Sequence, residues 1–154
     1  MERKFLASTA VLPFCRSGTL LVQGYLYTDA YNTIRVRLAA ERAVLTWKGP
    51  KSGARREEVE FEVPLSMGEA LLADVPPQAR IQKTRYRTEH AGAVWDVDVF
   101  GGVLDGLILA EIEMVREDQF VVLPPWVEQE VTADARYRNS RLAMGAIPDR
   151  LAAA

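Results

Sequence analysis

The sequence predicts a mainly β fold of the α+β kind, an antiparallel sheet built from hairpins with few helices. Three observations predict it. Apolar and charged residues alternate with period 2 in segment after segment, glycine and proline break those segments at short intervals, and only one stretch carries a full helix signature. The first segment, "MERKFL", places Glu2 and Lys4 on one face of a strand. "TIRVRLAA" sets Arg35 and Arg37 against Ile34, Val36 and Leu38, and "AVLTWKG" sets Thr46 and Lys48 against Leu45 and Trp47. In "RREEVEFEV", Arg56, Glu58, Glu60 and Glu62 alternate with Val59, Phe61 and Val63. "IQKTRYRTE" gathers Lys83, Arg85 and Arg87, "VWDVDVF" gathers Asp96 and Asp98, and "LAEIEMV" gathers Glu111 and Glu113. Gly49-Pro50, Gly53, Gly92 and Gly101-Gly102 punctuate the series. Ser66 and Glu69 have capping-box spacing, which predicts a helix from about Ser66 to Asp74 with Leu71 and Leu72 inward and Pro76-Pro77 as its stop. A second helix is expected from about Arg136 to Met144, packing through Leu142 and Ala143.

At 154 residues the chain fits a single domain, 1–154, long enough to bury one core. A 49% hydrophobic and 26% charged composition excludes a disordered chain, and a formal net charge of −2 excludes a broad nucleic-acid surface. Cys15, the single cysteine, cannot form an internal disulfide and reads as a small packed residue. No apolar run approaches the roughly 20 residues of a membrane-spanning helix. No signal peptide precedes the first charged residues, so the expected compartment is the cytoplasm.

A charged strand face is ordinarily just solvated. Here, however, the charges are sorted by strand: Arg35/Arg37 and Lys83/Arg85/Arg87 are cationic runs, whereas Asp96/Asp98 and Glu111/Glu113 are anionic runs. Like charges two apart on one face gain nothing in water. A site for a polyanion with divalent metal needs both kinds, because cations grip phosphate oxygens and carboxylates supply hard oxygen ligands. If such a sheet closes with its charged face inward, its apolar face points outward and must be covered by helices.

The opening "MERKFL" resembles the Glu-x-Glu-x-Lys signature of the triphosphate tunnel metalloenzymes, the CYTH superfamily. "VQGYLYTD…NTIRVRL", "LTWKGPKSGARREEVEFEVP", "IQKTRYR", "WDVDVFGGVLDGLILAEIEM" and "PPWVEQEVTADARYRNSRLA" resemble, in order, successive blocks of its bacterial, inorganic triphosphatase-like branch. The resemblance implies an eight-stranded antiparallel closed β-barrel whose charged tunnel binds a triphosphate with Mg²⁺ or Mn²⁺. The implied activity is hydrolysis of inorganic triphosphate or a related nucleoside or organic triphosphate. The rival readings are a class IV-type adenylate cyclase and a non-catalytic polyphosphate- or nucleotide-binding module. No membrane partner is expected, and a homodimer is one assembly compatible with the sequence.

Carried over by position, the resemblance implies Lys4, Arg35, Arg37, Lys48, Lys83 and Arg85 as phosphate ligands. It implies Glu2, Glu111 and Glu113 as metal ligands, with Glu58, Glu60 and Asp98 in the acidic wall. Crowding by Arg85 and Arg87 is expected to lower the pKa of Lys83 toward neutrality and suit it to act as a base. Tyr25 resembles a tyrosine that the family pairs with a tunnel lysine. Arg56, Arg87, Glu62 and Asp96 are expected as interior salt-bridge partners that touch no ligand. The signature's first glutamate has no counterpart before Glu2, so the expectation is a start further upstream or a looser grip on metal. His90 reads as a solvated turn residue, Trp47, Trp95 and Trp126 as outer packing, and Arg136 as part of a solvated helix face.

Overall fold

Nine strands hydrogen-bond into one antiparallel sheet in the computed structural model, which describes residues 1–52 and 55–143. Gly53 and Met144, named above, lie outside the described residues. The strands are β1 (Glu2–Ala7), β2 (Thr19–Thr28), β3 (Thr33–Ala39), β4 (Arg42–Ser52), β5 (Arg55–Val63), β6 (Ile81–His90), β7 (Ala93–Phe100), β8 (Ile108–Glu113) and β9 (Val127–Glu130). Two α-helices accompany them, α1 (Leu65–Ala73) and α2 (Asn139–Ala143). The spatial order is β5-β4-β3-β2-β6-β7-β8-β1-β9.

The period-2 pattern sorts the chain into an apolar outer face and a charged inner face. Outside β1, β7 and β8, Phe5, Trp95, Val97, Ala110, Ile112 and Trp126 form a core under the 3-10 segment Thr9–Phe14. Trp95 packs edge-to-face with both Phe5, at 5.6 Å between ring centroids, and Trp126, at 5.7 Å. Outside β2, β3 and β4, the residues Val36, Leu72 and Val75 anchor a second core, which binds α1 to the sheet. A third cluster, with Leu6, Ile81, Phe100 and Leu109, continues the inner face past the charges and meets Tyr137, Leu142 and Ala143. It fills one end of the space that the sheet encloses.

Several expectations need correction. The sheet has nine strands and is open, because β1 pairs with β8 along one edge and with β9 along the other, leaving no edge for β5. No pairing joins β5 to any strand but β4 among the described residues. The outer face of β5 is also uncovered, with Val59 and Phe61 each 51% exposed. The first helix starts one residue early and is capped by Pro64 with no side-chain bond, so the Ser66/Glu69 spacing does not act as a capping box. The expected second helix divides into a 3-10 turn, Ala135–Tyr137, and α2, with Arg138 extended between them. His90 ends β6 opposite Ala93, and the turn itself is Ala91–Gly92, with φ of 50° and 79°. Trp47 is half-buried, lies outside the three core clusters, and donates its indole N–H to Asn32 Oδ1 at 3.2 Å.

Helix α1 approaches β4 through Gly68, where an added β-carbon would overlap that of fully buried Ala43 and press on Leu38. Replacing Gly68 with Val is therefore expected to lower unfolding free energy in urea by about 1–3 kcal/mol, the usual cost of overpacking. An unchanged midpoint would mean that α1 can move away freely.

Candidate active site

Antiparallel register decides which charges meet on the inner face. Glu2 lies opposite Glu113 and Lys4 opposite Glu111 across β1 and β8. Arg85 lies opposite Asp98 and Arg87 opposite Asp96 across β6 and β7. Tyr25 is opposite Arg35, and Lys48 is opposite Glu58. The curled sheet leaves a cavity of about 370 Å³ lined by Glu2, Lys4, Tyr25, Thr33, Arg35, Arg37, Lys48, Arg56, Glu58, Glu60, Arg85, Glu111, Arg138, Asn139 and Ser140.

Asp98 holds the back of this space. Its carboxylate is 1% exposed, and it accepts from Lys83 Nζ at 2.7 Å and from Arg85 Nε and Nη2 at 2.7 and 2.9 Å. Burial pushes the Asp98 pKa up, but the Arg85 hydrogen bond and the two cationic charges outweigh it and hold the group below its ordinary range. Lys83 is drawn down to about 8, mainly by burial and only secondarily by Arg85 and Arg37, with Asp98 opposing. The expected direction for Lys83 is right, but of the two expected causes Arg85 contributes only after burial and Arg87 does not contribute. Arg87 is 79% exposed and paired with Asp96 at 3.2 Å. Lys83 itself does not line the cavity, because its ammonium is spent on Asp98. Asp98, saturated by two cations, is likewise not free to join an acidic wall. Arg85 does reach the cavity, and its Nη2 lies 3.8 Å from Glu111.

The opposite wall carries cations with weaker partners. Arg35 is buried, with Nη2 bonded to Thr46 Oγ1 at 3.2 Å and 3.6 Å from Glu60, while its Nε has no partner. Lys48 is lowered in pKa mainly by burial, helped by Arg35 and Arg56 and opposed by Glu58. Arg56 donates to the Gly49 carbonyl at 2.6 Å. The Tyr25 phenol is kept protonated mainly by burial, with Arg35 and Arg37 opposing. It lines the same small recess as Thr33, Arg35, Thr46 and Lys48.

At the open flank the carboxylates repel. Glu2 is raised to about 7, first by burial and then by the charge of Glu111, a hydrogen bond to Glu111 and the charge of Glu113, against the pull of Lys4. Lys4 Nζ is 3.2 Å from Glu111 and 3.3 Å from the Tyr137 carbonyl. Glu113 turns to the terminal amine of Met1 at 2.7 Å. Glu58 and Glu60 lie on β5 facing cations, so they do not gather with Glu2 and Glu111. Glu62 pairs with Arg42 at 2.7 Å outside the site. Arg136 pairs with Asp134, whereas Arg138, Asn139 and Ser140, unsuspected from sequence, line the cavity. Thr33 was also missed. Only the alternation in "NTIRVRL" could have placed it on the face of Arg35.

Residues 1–142 match the CYTH domain family. The chain is 37% identical over 142 residues to an inorganic triphosphatase of Acetivibrio thermocellus, covering 92% of this chain and 91% of that protein. It is 36% identical over 152 residues to an inorganic triphosphatase of Nitrosomonas europaea, covering 94% and 96%. The crystal structure of the inorganic triphosphatase NE1496 superposes with a TM-score of 0.72 at 35% identity, covering 94% of this chain and 97% of that one. No helix among the described residues is long and apolar enough to cross a membrane.

Two outcomes are expected. Asp98→Asn removes the partner of a buried ammonium and should cost about 3–5 kcal/mol of stability in denaturant titration. Parent-like stability would show that Lys83 loses its charge without penalty. For Glu2, the native carboxyl keeps its proton up to about 7, whereas its ordinary value is 4.5, so the native state binds more protons between these limits. Its contribution is full below 4.5 and is lost as pH rises through 7. Stability of the chelator-treated protein should therefore fall across that window, and Glu2→Gln should flatten the fall; an equal slope in both would assign it to other groups.

Proposed function

This chain belongs to the CYTH domain family, and from that premise we propose that it is a divalent-metal-dependent hydrolase of inorganic triphosphate or a closely related triphosphate. The observation that carries the reading is the cavity itself, where Lys4, Arg35, Arg37, Lys48, Arg56, Arg85 and Arg138 outnumber Glu2, Glu58, Glu60 and Glu111. Excess fixed positive charge gathered in one cavity is what a compact polyanion with developing charge requires. The names of the relatives support the same substrate class.

Arg35, Arg37, Lys48 and Arg85 bind phosphate oxygens in this reading, with Lys4 reaching the same ligand from β1. Tyr25, protonated, donates a hydrogen bond there. Lys83 acts from behind: it fixes Asp98, which aims Arg85, and so it positions a ligand without abstracting a proton. Water attack at a terminal phosphorus breaks one phosphoanhydride bond and yields phosphate and pyrophosphate.

Among the described residues no three carboxylate, histidine or cysteine groups form a ready-made metal centre. Mg²⁺ rarely needs one, since it is commonly held by one or two carboxylates together with substrate phosphates. The Glu2–Glu111 pair fits that role, because its mutual repulsion is what a hard cation relieves. Glu113 would join on release from Met1. Bound there, Mg²⁺ or Mn²⁺ would neutralise phosphate oxygens and lower the pKa of a water ligand.

Incubation with Mg²⁺ or Mn²⁺ and inorganic triphosphate should release phosphate. Pyrophosphate with cyclic AMP from ATP would instead indicate a cyclase, and no turnover with tight binding a sensing module. Triphosphate at about a hundred times its dissociation constant should add roughly 2.7 kcal/mol of stability, a rise of about 5 to 11 °C in Tm. Lys48→Ala should lower kcat/KM at least about tenfold, or 1.4 kcal/mol, whereas Lys51→Ala, at the exposed end of β4, should match the parent. Equal losses at both positions would attribute the effect to overall charge.

A further inference from the structure

Arg37 is held differently from its neighbours. Lys83 and Arg85 share Asp98, Lys4 lies 3.2 Å from Glu111, and Arg35 lies 3.6 Å from Glu60. Arg37 makes no such ion pair among the described residues; its Nε donates instead to the amide oxygen of Gln23 at 2.8 Å. Asp98 acts on it only at longer range, and burial beside Arg35 and Arg85 pulls its pKa down to about 10.

Gln23 has no other evident reason to be where it is. It sits on β2 between Arg37 of β3 and Ile81 of β6, is 0% exposed, and leaves its side-chain nitrogen without a partner. A buried amide with an unmet donor costs stability that an apolar residue of similar size would avoid. A glutamate would hold the same guanidinium more strongly, but it would also cancel its charge. The amide alone orients the arginine and leaves the charge available.

We propose that Gln23 is a positioning residue for phosphate recognition: its neutral carbonyl fixes Arg37 in the cavity without neutralising it, so that Arg37 supplies a full positive charge to the bound anion. The inference rests on the triphosphatase reading and deepens it. It divides the interior cations into two kinds. Arg85 is held rigidly by a carboxylate and has part of its charge cancelled, whereas Arg37 is held by an amide and keeps its charge for the ligand.

The deciding variant is Gln23→Glu, nearly isosteric and still able to accept from Arg37 Nε. Binding of inorganic triphosphate is measured by calorimetry at pH 8 in chelator, so that the metal plays no part, alongside steady-state kinetics with Mg²⁺. The dissociation constant and KM should rise at least about tenfold, with kcat changed less than about threefold, while the ligand-free unfolding midpoint stays level or rises. A merely structural role predicts intact binding at the same or better stability, and that result would overturn the proposal. Gln23→Met, which keeps the volume and loses the acceptor, should weaken binding about three- to tenfold; parent-like affinity there would also overturn it. Failure of the parent to bind inorganic triphosphate at all would defeat the functional reading itself, a result separable from a Gln23→Glu variant that binds as the parent does.

Discussion

A buried carboxylate, Asp98, is the interaction on which the interior depends. Stripping water from an ammonium in the middle of a sheet is costly unless an anion replaces that water. Asp98 does so for Lys83 and, with its second oxygen, for Arg85. Arg85 then leans toward Glu111, and Glu111 meets Lys4, so the sequence of contacts crosses β7, β6, β8 and β1. Four strands are thereby committed to one arrangement of side chains before any ligand arrives. Preorganised charge of this kind needs no rearrangement when an anion develops further charge during reaction.

The other wall, from β2 to β5, follows a different rule. Its cations meet hydroxyls, amides, carbonyls or distant carboxylates, as Arg35 meets Thr46, Arg37 meets Gln23 and Arg56 meets Gly49. Their charge is therefore less cancelled. A polyanion between the walls finds geometry fixed on one side and attraction concentrated on the other. The carboxylates Glu2 and Glu111, forced together at the open flank, supply the complementary demand for a cation.

The inverted layering makes both walls possible. Strand alternation lets one face be charged only if the other buries enough apolar surface to hold the sheet. That burial is provided by Trp95 and its neighbours on one side and by α1 on the other. On the inner face the charges give way to Leu6, Ile81, Phe100 and Leu109, which meet Tyr137, Leu142 and Ala143 and fill one end. Residues 138–140 are carried to the cavity as a consequence of that packing. The terminal segment contributes to the site because its own apolar residues need somewhere to go.

What the sequence determined by itself was whatever has a local period. Alternation placed Glu2, Lys4, Arg35, Arg37, Lys48, Arg85 and Glu111 on one face, and all seven line the cavity. The ordered blocks of resemblance identified the family that the whole-chain match bears out. Only tertiary structure decided the pairings, because register between strands and depth of burial are set by hydrogen-bond ladders and packing far along the chain. From alternation alone Lys83 and Arg85 are equivalent, yet one is sealed against Asp98 and the other opens onto the cavity. Gln23, neutral and flanked by apolar residues, carried no signal until Arg37 was found beside it. Closure, too, was a tertiary matter: β9 occupies the edge of β1 that a closed barrel would have offered to β5, and nothing local in either strand foretells that competition.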